Sequence, residues 1–120
     1  MMISTLLRRT VPISVALVLA AGLAVAGEPK TPLGKWMKPN MGAPLAGQDF
    51  AALQKAFDLI ASKPPPGAAG ADYPNWAATA QEGSAASAKQ DLAGVKAACK
   101  HCHDPYKEKY QKDFVDRPFP

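Results

Sequence analysis

The two cysteines of this chain lie close together and are followed at once by a histidine. Cys99 and Cys102 stand three positions apart, and His103 comes directly after them in a chain of 120 residues. On a helix this spacing places all three side chains on one side, within about one turn. A chain of this size buries a limited core and often needs a disulfide, a metal or a cofactor for stability. A group held by the two cysteines would therefore stabilise the folded chain, so this motif limits the possible structures more than any other feature of the sequence.

The motif C-x-x-C-H is the attachment pattern of covalent haem. Two thiols at this spacing can form thioethers with the two vinyl groups of one porphyrin, and the following histidine can bind the iron from the tethered side. We therefore predict one covalent haem c held by Cys99 and Cys102, with His103 as the proximal iron ligand. His101, between the cysteines, is expected to be a solvent-facing polar residue.

Three other interpretations of the motif stay open. A structural zinc site needs four ligands, and His101, the only other histidine, lies within the same short stretch. A C-x-x-C redox pair needs a thioredoxin-like βαβ context, for which the sequence has no strand pattern. A plain disulfide between Cys99 and Cys102 closes too small a loop to stabilise much.

The first 26 residues have the order of a secretory signal peptide. Arg8 and Arg9 precede an apolar stretch at 11–25, which ends in a small-x-small site at Ala26. We predict cleavage after Ala26, a haem-binding domain over 27–120 and a periplasmic location. Export agrees with the motif, since haem of this type is attached outside the cytoplasm. An uncleaved membrane anchor is the alternative, although the apolar stretch is short for one.

The charge of the chain sets limits on its partners. Loss of Arg8 and Arg9 lowers the formal net charge from +4 to +2. So mild a charge gives no reason to expect binding to nucleic acid or to an anionic membrane. Several lysines lie in the last predicted helix. They form either a solvated helix face or a positive rim that steers acidic redox proteins toward the site. They are Lys96, Lys100, Lys107, Lys109 and Lys112.

Apolar spacing predicts four short helices and no strand, hence an all-α chain arranged as a small up-and-down bundle. The predicted helices cover 33–38, 48–62, 75–89 and 91 onward. The large aromatic residues are expected to pack in the core or against the haem. They include Trp36, Phe50, Phe57, Trp76, Tyr106 and Tyr110.

Prolines are expected to disturb this pattern. Pro39 either kinks or ends the first helix, because it lacks a backbone N–H and its ring clashes with the preceding turn. Pro105 is expected to interrupt the last helix, with Asp104 as a new N-cap. Residues 116–120 are expected to form a frayed tail.

The stretch Cys99–Lys107 reads C-K-H-C-H-D-P-Y-K and closes a small, Ala-rich helical chain. It resembles the ending C-K-x-C-H-D-x-Y-R/K of class II cytochromes c, the cytochrome c′ and cytochrome c-556 group. The stretch from Trp36 to Gly42 is similar to the six-coordinate c-556 branch. The resemblance implies an antiparallel four-helix bundle with the haem lodged among the helices near one end. Lys107 falls where the group often has Arg beside the proximal histidine.

A sixth iron ligand has few candidates. The 17 residues after His103 contain neither Met nor His, and residues 27–120 contain only two methionines, Met37 and Met41. The resemblance matches Met37 to the distal ligand of the c-556 branch, with Met41, one turn on, as the fallback. Either methionine is otherwise an ordinary core residue. In true cytochromes c′ the distal residue is not a ligand and the iron stays five-coordinate.

The resemblance implies a periplasmic one-electron carrier with His/Met ligation, which meets transient redox partners and is not an enzyme. The alternative is a five-coordinate protein that binds nitric oxide or carbon monoxide. Weak peroxidase action would need a distal acid–base group, and no spare histidine provides one. The resemblance also allows a homodimer formed through the first two helices.

Overall fold

The structure is a computed structural model that describes residues 28–120. The predicted signal peptide, residues 1–26, lies outside this part of the chain. Residues 28–120 are helical and contain no strand, which confirms the all-α class. The elements are α1 (Pro32–Met37), a π-helical turn (Lys38–Gly42), α2 (Ala43–Gly47), α3 (Phe50–Ala61), a 3₁₀ segment (Gly67–Asp72), α4 (Trp76–Ala88) and α5 (Leu92–Asp113). None of these helices combines the length and the apolar character needed to cross a membrane.

The first three elements join into one continuous helical rod over residues 32–47, called the N-terminal rod below. Thr31 caps its start, since the Thr31 hydroxyl accepts a hydrogen bond from the Gly34 N–H at 3.0 Å. At Pro39 the helix changes type and does not end. A π turn accommodates Pro39, which has no backbone N–H. In this turn the backbone N–H groups bond to carbonyls five residues earlier, so the groups around Pro39 still find partners. One such bond runs from the Ala43 N–H to the Lys38 carbonyl.

Helix α3 begins directly after Asp49, whose carboxylate accepts a hydrogen bond from the Ala52 N–H at 3.1 Å. Asp is one of the residue types favoured at this position, because its side chain satisfies a backbone N–H that has no partner within the helix. Leu53, Phe57 and Ile60 recur at helical spacing and are buried against α4. Their burial supplies the apolar interface between the two helices.

Helix α4 lets α3 approach closely at Gly83. A Cβ atom added to Gly83 would meet three ring carbons of Phe57 well inside van der Waals distance, and the Phe57 ring is itself buried. Glycine at this position of α4 therefore allows α3 and α4 to pack closely.

Replacing Gly83 with alanine is expected to lower the free energy of unfolding by about 1 kcal/mol, since overpacking costs about 1–3 kcal/mol and the gain in helix propensity returns about 1 kcal/mol. Urea denaturation measures the change. Gly47→Ala is the matched control, because nothing lies within 4 Å of a Cβ there. A Gly83→Ala variant as stable as the original chain would contradict the close packing.

Helix α5 runs without a break from Leu92 to Asp113. The predicted interruption at Pro105, with Asp104 as a new cap, is therefore wrong. Proline in a helix interior costs about 3 kcal/mol. Continuing the helix buries both Tyr106 and Tyr110, and burial of a large side chain is worth about 1.5–3 kcal/mol. The burial of these two tyrosines thus offsets the cost of Pro105 inside the helix.

The helices pack in chain order: α3 lies against α4, α4 lies against α5, and the N-terminal rod lies on α3. No Cα atom of α5 comes within 8 Å of a Cα atom of the rod. Helices in direct contact have axes about 8–10 Å apart, which brings backbones closer than that. The rod and α5 are therefore not packed directly on each other.

The segment after α5 is not the frayed tail that the sequence predicts. The Arg117 guanidinium donates hydrogen bonds to the carbonyl oxygens of Lys63 (3.3 Å) and Pro64 (3.1 Å). The Phe119 ring lies edge-on to Trp36, with centroids 4.9 Å apart. This segment thus leaves α5, passes the end of α3 and reaches the N-terminal rod.

Candidate functional site

The C-x-x-C-H motif lies in the middle of α5, where the helix is regular. Because each residue advances the helix by about 100°, Cys99, Cys102 and His103 lie on one side of it. The two cysteines are half-buried and are not bonded to each other, while His103 is exposed. The structure therefore brings the three predicted attachment residues together.

Two groups of buried side chains lie next to the motif. The first, called the aromatic cluster below, consists of Leu33, Ile60, Tyr73, Trp76, Ala80, Tyr106 and Tyr110. The second, called the small cluster, consists of Leu53, Phe57 and Val95. Cys102 packs against the aromatic cluster and Cys99 packs against the small cluster. Each thiol thus faces the protein interior from its own side of the motif.

The two methionines of the N-terminal rod differ in what they reach. Met37 is half-buried and packs against the aromatic cluster, the neighbourhood of Cys102. Met41 is half-buried and packs against both clusters, one of which also contacts Cys99 and the other Cys102. Met41 lies inside the π-helical turn, which shifts the direction of the following side chains from that of a regular α-helix.

The cysteine thiols are not activated. Burial raises the pKa of the Cys99 thiol, and it raises the pKa of Cys102 to about 11, with a smaller contribution from the neighbouring Cys99. Both cysteines are therefore thiols at neutral pH. Reactive C-x-x-C cysteines have lowered pKa values and favour helix N-termini, whereas these two lie inside α5. The structure thus gives no support to the redox-pair interpretation.

His103 has the properties of an accessible metal ligand. Partial desolvation lowers its pKa, the nearby Lys107 ammonium lowers it further, and Asp104 acts in the opposite direction. A lower pKa favours the neutral imidazole, which is the form that binds a metal. Lys107 is exposed and lies near His103, where the resemblance puts a basic residue.

The zinc interpretation gains no support from the geometry. Within residues 28–120, no three His, Cys, Asp or Glu side chains are gathered as a metal site requires. His101 is exposed, and its Nδ1 lies 3.4 Å from Oε2 of Glu82. The expectation that His101 faces solvent is confirmed.

Comparison of the chain with family models, curated proteins and solved structures finds no match. The resemblance to class II cytochromes c therefore stays a prediction that rests on residues 99–107 and 36–42.

The residues around the motif fit a covalent haem by their chemistry. Two free thiols and an accessible imidazole share one side of α5. Met37 and Met41 provide thioether sulfurs on the N-terminal rod, and these are ligands that haem iron accepts opposite histidine. The two thiols would attach the porphyrin, while His103 and one of the two methionines would supply the axial iron ligands.

The lysines of α5 do not all have the same role. Lys100 pairs with Asp104 at 2.9 Å on the helix surface. The Lys109 ammonium donates to the Asp72 carbonyl at 2.9 Å and lies 4.3 Å from the centre of the Tyr73 ring. Lys109 thus belongs to the tertiary structure, while Lys96, Lys107 and Lys112 are exposed.

Sequence reasoning missed the importance of Tyr73, Asp113 and Phe119. Tyr73 is the most central residue of the aromatic cluster, and its hydroxyl donates to Asp113 at 2.8 Å. Tyr73 and Asp113 lie 40 positions apart in the sequence, so no local pattern joins them. The one available signal was a lone large aromatic residue within a Pro/Gly-rich connection.

Proposed function

We propose that this chain is an exported c-type cytochrome that carries single electrons in the periplasm, with one haem attached through Cys99 and Cys102. The observation that supports the proposal most is the arrangement on α5: two free, half-buried thiols beside an accessible histidine on one side of an unbroken helix. A bound haem supplies the Fe(III)/Fe(II) couple for the transfer of one electron.

Each residue of the site has a distinct task in this proposal. Cys99 and Cys102 tether the porphyrin, which makes the cofactor hard to lose. His103 provides the proximal nitrogen, and its lowered pKa favours the neutral imidazole that can bind iron. A methionine of the N-terminal rod provides a distal sulfur, and Met/His ligation raises the reduction potential. No substrate is converted in this role.

The distal ligand is a choice between two methionines one turn apart. The sequence resemblance ranks Met37 first. The packing favours Met41, because only this one of the two packs against both of the clusters that the cysteines contact. We propose Met41 on that ground, with Met37 as the competing assignment.

The proposed cofactor position follows the class II arrangement, an antiparallel four-helix bundle with the haem among its helices. Support comes from the separation between α5 and the N-terminal rod, whose Cα atoms stay more than 8 Å apart. The two methionines of the rod nevertheless pack against the aromatic cluster, which Cys102 also contacts. The exposed lysines of α5 then border the site and favour acidic redox partners. A homodimer remains compatible with the proposal.

The visible spectrum of the haem-loaded chain, oxidised and reduced, with and without carbon monoxide, tests the ligation. We expect sharp bands in the reduced protein, a weak far-red band in the oxidised protein and no response to carbon monoxide. Those features follow from a closed, six-coordinate iron. A broad high-spin spectrum that shifts with carbon monoxide would overturn the His/Met proposal and favour the five-coordinate, gas-binding candidate.

A further inference from the structure

Tyr73 lies at the centre of a group of touching aromatic rings. Its ring centroid is 5.0 Å from that of Tyr106, 5.8 Å from Trp76, 5.9 Å from Phe114 and 6.1 Å from Tyr110. Only 2% of Tyr73 is exposed to solvent. Cys102 packs against the same cluster, so these rings adjoin the C-x-x-C-H motif.

The three tyrosines of the chain differ in the partner of the phenol oxygen. Tyr73 donates its hydrogen bond to the Asp113 carboxylate at 2.8 Å. Tyr106 donates to the backbone carbonyl of Pro74, and Tyr110 accepts a hydrogen bond from Arg117 at 3.4 Å. Of these three partners, only the carboxylate is a base that an oxidised, strongly acidic phenol can protonate, whereas a peptide carbonyl and a guanidinium cannot serve as one.

The hydrogen-bond partner of the phenol oxygen determines which tyrosine ring can lose an electron. A buried phenol that loses an electron becomes a cation, and an unpaired charge in the interior is costly. The Lys109 ammonium, 4.3 Å from the centre of the Tyr73 ring, raises that cost further for Tyr73. The proton must therefore leave with the electron. Asp113 is placed to receive the proton, and it is exposed, so it can pass the proton to water.

The protonation state of Tyr73 agrees with this requirement. Burial raises the pKa of its phenol well above the usual range, and the hydrogen bond to Asp113 raises it further. Tyr73 is thus a neutral phenol at all ordinary pH values, with a proton to give.

We propose that Tyr73 and Asp113 form a redox-active tyrosine site. When one electron is removed from the aromatic cluster, the oxidation is localised on Tyr73. A one-electron oxidant takes one electron from the cluster and is reduced by one unit. The O–H bond of Tyr73 breaks, its proton passes to Oδ2 of Asp113, and a neutral tyrosyl radical remains. The site goes beyond electron carriage and does not require bound haem.

The test uses the full chain with photogenerated ruthenium(III) tris-bipyridine as oxidant, freeze-quenching and EPR. The narrow line of an organic radical is separate from the signals of ferric iron, so the result is readable with or without haem. We expect a tyrosyl radical in the original chain and in the matched controls Tyr106→Phe and Tyr110→Phe. In Tyr73→Phe, which keeps the ring and its packing, the tyrosyl signal should be lost.

Asp113→Asn separates proton acceptance from simple packing. The amide keeps the shape and a hydrogen-bond acceptor but cannot take the proton, so we expect the tyrosyl yield to fall by about tenfold. Radical formation in the original chain should also slow in D₂O. Equal yields in Asp113→Asn and the original chain, a signal that survives in Tyr73→Phe, or no tyrosyl radical at all would each overturn the proposal. Failure of haem to attach would overturn the proposed function and leave this test unaffected.

Discussion

The double variant Cys99→Ser, Cys102→Ser is expected to carry no covalent haem when it is produced in a host that attaches c-type haem. Serine has nearly the shape of cysteine, and both positions are only half-buried, so the helix should form as before. What the variant lacks is the sulfur that makes the thioether bonds. Haem staining after denaturing electrophoresis measures the loss.

The stability of this variant is expected to fall as well. Folded domains are stable by only about 5–15 kcal/mol, so the loss of a tethered cofactor that binds only the folded chain should remove a large part of that stability. Thermal unfolding followed by circular dichroism measures the change. His101→Ala is the matched control, because His101 lies between the cysteines and is exposed. Haem that stays bound to the double serine variant after denaturation would contradict the attachment.

Met41→Ala is expected to open the haem iron to carbon monoxide. If the distal sulfur occupies the iron about 99% of the time, its removal raises the apparent affinity of the ferrous protein for carbon monoxide about 100-fold. The reduction potential should fall too, because methionine ligation raises it. Carbon monoxide titration of the reduced protein measures the affinity.

Met37→Ala is the matched control for this prediction. Both methionines are half-buried on the N-terminal rod and pack against the aromatic cluster, so their truncation should cost similar stability. Only the ligand should change the response to carbon monoxide. If Met37→Ala opens the site and Met41→Ala does not, the ranking from the sequence resemblance is right. If the original chain already binds carbon monoxide and neither variant changes this, the His/Met ligation is wrong.

Helix starts with a local chemical signal were predictable from the sequence. Asp49 and Asp91 each stand before an apolar-periodic run, and each carboxylate accepts a hydrogen bond from the backbone N–H three residues on. These bonds depend only on neighbouring residues. Helices α3 and α5 accordingly begin directly after the two caps.

Features that depend on distant contacts were not predictable. Pro105 is a helix breaker by its own chemistry, and α5 continues only because Tyr106 and Tyr110 are buried beyond it. The segment after α5 is ordered through Phe119 and its contact with Trp36 near the other end of the described chain. Local propensity carries no information on either contact.

Only one part of the candidate site could likewise be predicted from the sequence. The spacing of Cys99, Cys102 and His103 fixes their common side on any helix, so this part follows from sequence. The relative positions of Met37 and Met41 depend on a π turn, and helical spacing alone does not distinguish them. The structure distinguishes them by packing, since Met41 packs against both clusters and Met37 packs only against the aromatic cluster.

The most direct test of the central claim is to find whether the purified chain keeps its haem after denaturation. The full sequence is expressed in a host able to attach c-type haem, and the protein is unfolded, extracted with acidic organic solvent and examined by intact mass and by its reduced spectrum. We expect one haem per chain that stays with the polypeptide. A chain whose mass is that of the polypeptide alone, or whose haem passes into the solvent, would contradict covalent attachment at Cys99 and Cys102.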